Sequence, residues 1–209
     1  GNNLHIIGVP LSMQYHNMEW ITKGALDFID QYRDEPFFLY MAPTLPHVPG
    51  PLTSLKADPR ITAAGLLDEP IRDAQPSRES VFERTRAAGI RDENAPMTWL
   101  DDGIGAVLER LEKYDLLENT IVVFASDHQS PRAKMTCYEF GANAPAAIMW
   151  KGHIQAGQVH DALLSNTDIV PTLLDYADIE TPAGYLTDGI SWRALLDGDL
   201  SSLHNSLYL

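Results

Sequence analysis

The chain has 209 residues, 44% of them hydrophobic and 21% charged, and its 15 basic and 29 acidic residues leave a net charge of −14. That length suits one sizeable core in an ordinary globular composition. No run approaches the roughly 18 apolar residues of a membrane span, and the acidic excess argues against a nucleic-acid partner, whose phosphates need a basic surface.

Cys137 is the one cysteine, so no intrachain disulfide forms. The chain starts at Gly1 without a signal-peptide pattern, and the native N-terminus is expected to lie upstream. Residues 4–9 read as a short strand or a linker ended by Pro10, and His5 and His16 read as surface histidines. Residues 19–33 carry Ile21, Ala25, Phe28, Ile29 and Tyr32 on one helical face, and Asp34-Glu35-Pro36 stops that helix. Residues 37–42, Phe-Phe-Leu-Tyr-Met-Ala, follow as a buried strand, which makes half of a βαβ unit.

Four prolines and a glycine then fall within residues 43–51, a rigid non-helical loop at the strand's carboxyl end. His47 sits in it between Pro46 and Pro49, either positioned for chemistry or packed against Phe37 or Tyr40. Residues 53–91 are polar and rich in arginine, the pattern of a functional loop or surface insertion, with each arginine read as solvated. Residues 94–117 predict a long helix with Leu100, Ile104, Val107, Leu108 and Leu111 inward, and with Asp101 and Asp102 exposed.

Residues 120–125, Thr-Ile-Val-Val-Phe-Ala, form a short apolar run of the kind buried in parallel sheets. It ends on Ser126-Asp127-His128, and open α/β sheets place their ligands at the carboxyl ends of strands. Lys134 comes six residues later. A carboxylate, an imidazole and a lysine this close suggest a metal ion held with an anionic substrate; the alternative is an aspartate capping the next turn beside two solvated cations. Residues 145–150 predict another buried strand. Asn166 or Thr167 then caps a helix through Ala177, with Asp168 in its first turn, and residues 191–196 form a last short helix ended by Gly198.

Several of these blocks resemble, in order, those of the sulfatase family of the alkaline-phosphatase superfamily. They are Phe37-Phe38-Leu39-Tyr40 with Pro46-His47-Val48-Pro49, then Ser126-Asp127-His128. Lys134-Met135-Thr136-Cys137-Tyr138-Glu139 with Gly141 and Pro145 follows, and then residues 165–174. The match spans roughly residues 20–198, which is more specific than any single motif. It implies an α/β fold, an alkaline-phosphatase-like mixed sheet with helices on both faces, of which residues 1–209 are the C-terminal portion. Residues 53–93 become a surface or pocket-shaping insertion.

The resemblance further implies a sulfuric ester hydrolase acting on a sulfated small molecule or glycan, in a periplasmic, secreted or lysosomal setting. Asp127 and His128 would be metal ligands, with calcium expected and zinc or manganese as alternatives because an imidazole suits them better. Lys134 would bind sulfate oxygens, and His47 would hydrogen-bond the sulfate or protonate the leaving oxygen. The family's nucleophile, formylglycine made within Cys/Ser-x-Pro-x-Arg, has no counterpart here and is expected in the remainder of the catalytic domain, upstream. Ala74-Gln75-Pro76-Ser77-Arg78 mimics that motif with alanine at the reactive place. Gln129 and Asn143 depart from the family pattern, where Gly and Arg are usual. Two other functions remain open: a phosphatase, phosphodiesterase or phosphonate hydrolase of the same superfamily, and a non-catalytic sulfated-glycan binder.

Overall fold

The computed structural model describes residues 14–47, 50–128 and 136–207. The reading of residues 4–9 and of His5 falls outside them. The chain divides into two compact units, Gly1–Leu116 and Leu117–Leu209.

In the first unit, helix α1 spans Met18–Tyr32 and opens on Asn17, whose side chain accepts from the Trp20 amide at 2.9 Å. Its buried face is Met18, Thr22, Ala25, Leu26 and Ile29, one turn-spaced stripe. Phe28 and Tyr32, expected on that stripe, instead form an aromatic cluster with Phe37. The stretch around residues 53–93, read as an insertion, carries α2 (Pro51–Lys56), a small hairpin of β1 (Ile61–Thr62) and β2 (Gly65–Leu66), and α3 (Arg78–Ala87). They bury Leu55 and Val81 in one cluster with Met18, Leu45, Ala95, Trp99 and Leu100.

Helix α4 spans Ala95–Lys113. Leu100 and Leu111 are buried as expected, and Ile104, Val107 and Leu108 are half-buried. The helix ends four residues earlier than predicted because Asp115 takes a left-handed conformation (φ 56°). The Asp115 amide then donates to the Glu112 carbonyl at 3.0 Å and the Leu116 amide to the Leu111 carbonyl at 2.9 Å, satisfying the last turn's carbonyls. Helices α1 and α4 approach closely at Gly103, where a Cβ would lie 2.6 Å from the Thr22 hydroxyl.

A charged pair sits inside this unit. Arg78 forks onto both oxygens of Glu19 (2.9 and 2.8 Å) and donates to the Ser54 and Ala57 carbonyls, while the Trp99 indole donates to Glu19 at 2.9 Å. The guanidinium lies 4.7 Å from the Trp99 ring centre. Arg78 is therefore a buried structural cation and not the solvated arginine expected of it. Ser77 before it caps α3 through the Ser80 amide, so the nucleophile look-alike is a helix start. His16 is likewise buried, contrary to the surface reading, because both its ring nitrogens find partners in the proline loop.

Residues 37–42 form no ladder among the described residues. Their side chains still alternate like a strand's: Phe37, Leu39 and Met41 are half-buried while Phe38 and Tyr40 point outward, 74% and 81% exposed.

In the second unit, β3 (Val122–Ala125) pairs with β4 (Ala146–Met149) antiparallel, in the register Val122↔Met149 to Ala125↔Ala146. The expected parallel, buried strand is corrected on both counts: Phe124 and Ala125 are exposed, and the pairing is antiparallel. A continuous apolar run shows that both faces tolerate burial, but neither the direction of the neighbour nor what covers the faces is written in the run itself. Helix α5 is Glu139–Ala142. A 3-10 turn at Asn166–Asp168 leads into α6 (Ile169–Tyr176), and α7 is Arg193–Leu196. The helix start is capped by Ser165, not by Asn166 or Thr167, in a reciprocal box with Asp168.

Candidate functional site

The turn that carries Asp127 and His128 is pinned at Ser126, whose three polar groups are all engaged. Its amide donates to the Pro145 carbonyl at 3.1 Å, continuing the β3–β4 pairing. Its hydroxyl donates to the His128 carbonyl at 2.7 Å, closing the turn. Its carbonyl accepts from the Asn166 side-chain amide at 3.1 Å.

From this base Asp127 extends into solvent, 84% exposed, with Oδ2 3.4 Å from His128 Nε2. His128 is largely covered, and its Nδ1 is buried with no hydrogen-bond partner among the described residues. An imidazole nitrogen shut away from water without a partner is costly unless something else supplies one. A carboxylate oxygen suits calcium and an imidazole nitrogen zinc or manganese, and the Asp127 carboxylate lies beside Nε2, the ring nitrogen opposite the buried Nδ1. Among the described residues no three His, Cys, Asp or Glu side chains converge.

Lys134 and Arg132 lie outside the described residues, as does Gln129. Asn143, where the family pattern has Arg, donates to Glu139 Oε1 at 2.6 Å across one turn. Cys137 is exposed, and Tyr138 and Phe140 beside it are 78% and 68% exposed.

His47 belongs to the first unit. Its amide donates to the Thr44 carbonyl at 2.9 Å, and its carbonyl accepts from His16 Nε2 at 2.8 Å. Because a carbonyl only accepts, His16 carries its proton on Nε2, leaving Nδ1 to accept from the Thr44 hydroxyl at 2.6 Å. The His16 amide also donates to the Ser54 hydroxyl at 3.1 Å, tying the histidine to α2. The structure thus brings Asp127 and His128 together in the second unit and places His47 in the first.

Sequence reasoning missed the supports of both turns. His16 had no patterned neighbours to mark it, and Asn166 was seen only as a possible cap. Asp168, expected simply in the first turn of that helix, is fully buried and accepts from the Ser165 and Ile190 amides, the Trp192 indole and His204 Nε2. Burial opposes its charge, but the Ile190 and Ser165 amides, His204 and Trp192 together hold its carboxyl below the usual carboxylate range.

The sulfatase family model matches residues 3–179.

The chain belongs to the sulfatase family.

Among its relatives, an arylsulfatase of Clostridium perfringens is 30% identical over 207 residues, covering 87% of this chain and 42% of that protein. Human N-acetylgalactosamine-6-sulfatase is 30% identical over 193 residues, covering 84% and 32%. Among solved structures, that of BT4656 in complex with its substrate D-glucosamine-2-N,6-O-disulfate aligns with a TM-score of 0.63 at 20% identity. It covers 92% of this chain and 54% of that one, a likeness of fold. The α/β architecture is accordingly part of the alkaline-phosphatase-like fold of the sulfatases. The chain spans less than half the length of the curated relatives it matches.

Proposed function

We propose that this chain is part of a sulfatase that hydrolyses sulfate esters of a carbohydrate. The net reaction consumes water: the ester oxygen leaves with a proton as an alcohol, and sulfate takes the hydroxyl. The observation that carries the reading is the Asp127–His128 pair on its pinned turn, with one imidazole nitrogen buried and without a partner among the described residues, in a chain of this family. Sulfatase relatives whose names or titles mention sugars support the carbohydrate.

In this reading Asp127 and His128 hold a divalent cation, calcium or alternatively zinc or manganese. A cation there neutralises charge on the sulfate oxygens and polarises them. Lys134 adds a point charge on the same oxygens, and that charge matters most where it develops during transfer. His47 hydrogen-bonds the sulfate or gives its proton to the leaving oxygen, a role suited to an imidazole near neutral pH. Pro46 before it restricts the backbone and His16 anchors its carbonyl, so little motion remains to be frozen. A formylglycine nucleophile would come from sequence upstream of this chain.

Sulfate release from an aryl sulfate and from a 6-sulfated hexosamine, by the polypeptide as its source makes it, tests the reading. We expect turnover of both, falling at least ~100-fold in Lys134→Ala, as for loss of one group that stabilises developing charge. Unchanged turnover in both Lys134→Ala and Asp127→Ala would overturn it. The imidazole at position 128 favours one second reading, a phosphatase or phosphodiesterase of the same superfamily with zinc or manganese. Faster release of phosphate than of sulfate would select that reading.

A further inference from the structure

We propose that Asn166 is a positioning residue for the Asp127–His128 turn, acting through the carbonyl of Ser126. The inference rests on the functional reading of that turn as the cation site. It adds a residue 40 positions away whose side chain need not touch cation or substrate.

The argument starts from the peptide plane. The Ser126 carbonyl and the Asp127 amide belong to one rigid unit, so fixing the carbonyl fixes the direction from which Asp127 leaves the strand. The other two anchors of Ser126 are local. Its amide continues the pairing with β4, and its hydroxyl closes the turn onto the His128 carbonyl, 2.7 Å away. Neither sets the rotation of the plane between Ser126 and Asp127. The Asn166 amide at 3.1 Å does.

An amide makes a useful anchor only if it is itself held. Asn166 is the first residue of the 3-10 turn that starts α6, and the cap of that turn is tied at both ends. Ser165 Oγ accepts from the Thr167 amide, and Asp168 Oδ2 accepts from the Ser165 amide at 2.8 Å. Asp168 is in turn fixed by the Ile190 amide, the Trp192 indole and His204. The buried centre of the second unit therefore extends, through two residues of backbone, to an exposed side chain that grips the site's turn.

Asn166 is exposed, and that makes the proposal testable. Replacing it removes no buried volume, so the fold survives and only the grip is lost. Two readouts are needed on wild type, Asn166→Ala and Asn166→Gln. The first is the backbone order parameter of the Asp127 and His128 amides in metal-free protein, by NMR relaxation with Ile148 in β4 as internal reference. The second is the affinity for calcium, manganese and zinc added singly, by calorimetry.

We expect Asn166→Ala to lower the order parameters of Asp127 and His128 from about 0.85, the rigid-backbone value, to below about 0.6, with Ile148 unchanged. We also expect it to weaken cation binding by about 10-fold, the usual scale for losing a group that orients a ligand. Asn166→Gln, which keeps the amide donor, should recover part of both. Order parameters at Asp127 and His128 equal to wild type in Asn166→Ala overturn the proposal, whatever the cation does. An equal change at Ile148 overturns it too, since the effect would then be global. If wild type binds none of the three cations, the cation-site reading falls, while the order parameters still decide whether Asn166 positions the turn.

Discussion

His16 donates its Nε2 hydrogen to the carbonyl of His47, 2.8 Å away, so one histidine is the structural support of the other. The supporting imidazole is buried and satisfied on both ring nitrogens, whereas the supported one is exposed on a proline loop. The proposed role of His47 needs it held still, and His16 holds its backbone.

Replacing His16 by alanine removes two hydrogen bonds and leaves the His47 carbonyl and the Thr44 hydroxyl without their partner. We expect a loss of ~1–3 kcal/mol in the stability of the first unit, the range for a buried group left unsatisfied. Urea unfolding of the variant checks it, and a change within error would show that the loop holds itself.

The buried fork between Arg78 and Glu19 should be asymmetric to mutation. Arg78→Ala strands a carboxylate that, among the described residues, only the Trp99 indole still serves, and we expect ~3–5 kcal/mol of destabilisation, as when one partner of a buried pair is removed. The double variant Arg78→Met with Glu19→Gln should cost less than Arg78→Ala, because no charge is left behind. Denaturant midpoints of the two variants make the comparison.

Two glycines mark close approaches, one to backbone and one to side chains. At Gly189 a Cβ would lie 2.1 Å from the Thr167 carbonyl oxygen, so Gly189→Ala must move backbone beside the capped turn. At Gly103 the obstacle is the Thr22 hydroxyl. We expect ~1–3 kcal/mol of loss from overpacking at either site. Combining Gly103→Ala with Thr22→Ala should recover part of that loss, whereas the same Thr22→Ala should not help Gly189→Ala. Thermal unfolding of the four proteins distinguishes the two sites.

Asp168 predicts a pH dependence with a definite sign. Its folded-state pKa lies below the ordinary 3.8, so its charge contributes stability above that value, and the contribution is lost as pH falls through the depressed folded value. The second unit should therefore lose stability below about pH 4, where an ordinary aspartate protonates. Trp192, buried against the same carboxylate, gives a fluorescence signal for that unit. Asp168→Asn should lower stability at neutral pH and flatten the acid limb; an unaltered acid limb would show that other groups control it.

Much of this molecule was legible in residue order alone. The periodicity of residues 19–33 and 94–117 placed both long helices, and the apolar run before Ser126 placed β3 and its catalytic-looking turn. What stayed hidden depended on distant partners. The direction of β3's neighbour is set by residues 146–149, and the burial of His16 by Thr44, Ser54 and the His47 carbonyl. Arg78 looked like any surface arginine because Glu19, 59 residues away, is what makes it a core residue. Polar side chains carry no periodic signal of their own, and so the groups that hold the site were less visible than the groups that form it.

The β3–β4 ladder also has a colloidal consequence. Val122-Val123-Phe124-Ala125 and Ala146-Ala147-Ile148-Met149 contain no charge, and among the described residues each has a partner on one side only. Open, uncharged strand edges invite pairing with other copies. The net charge of −14 keeps molecules apart near neutrality and fades toward the isoelectric point of about 4.7. Light scattering should therefore rise steeply as a solution of this polypeptide is brought from pH 7 toward that point. A lysine in place of Phe124 on the exposed strand should delay the rise.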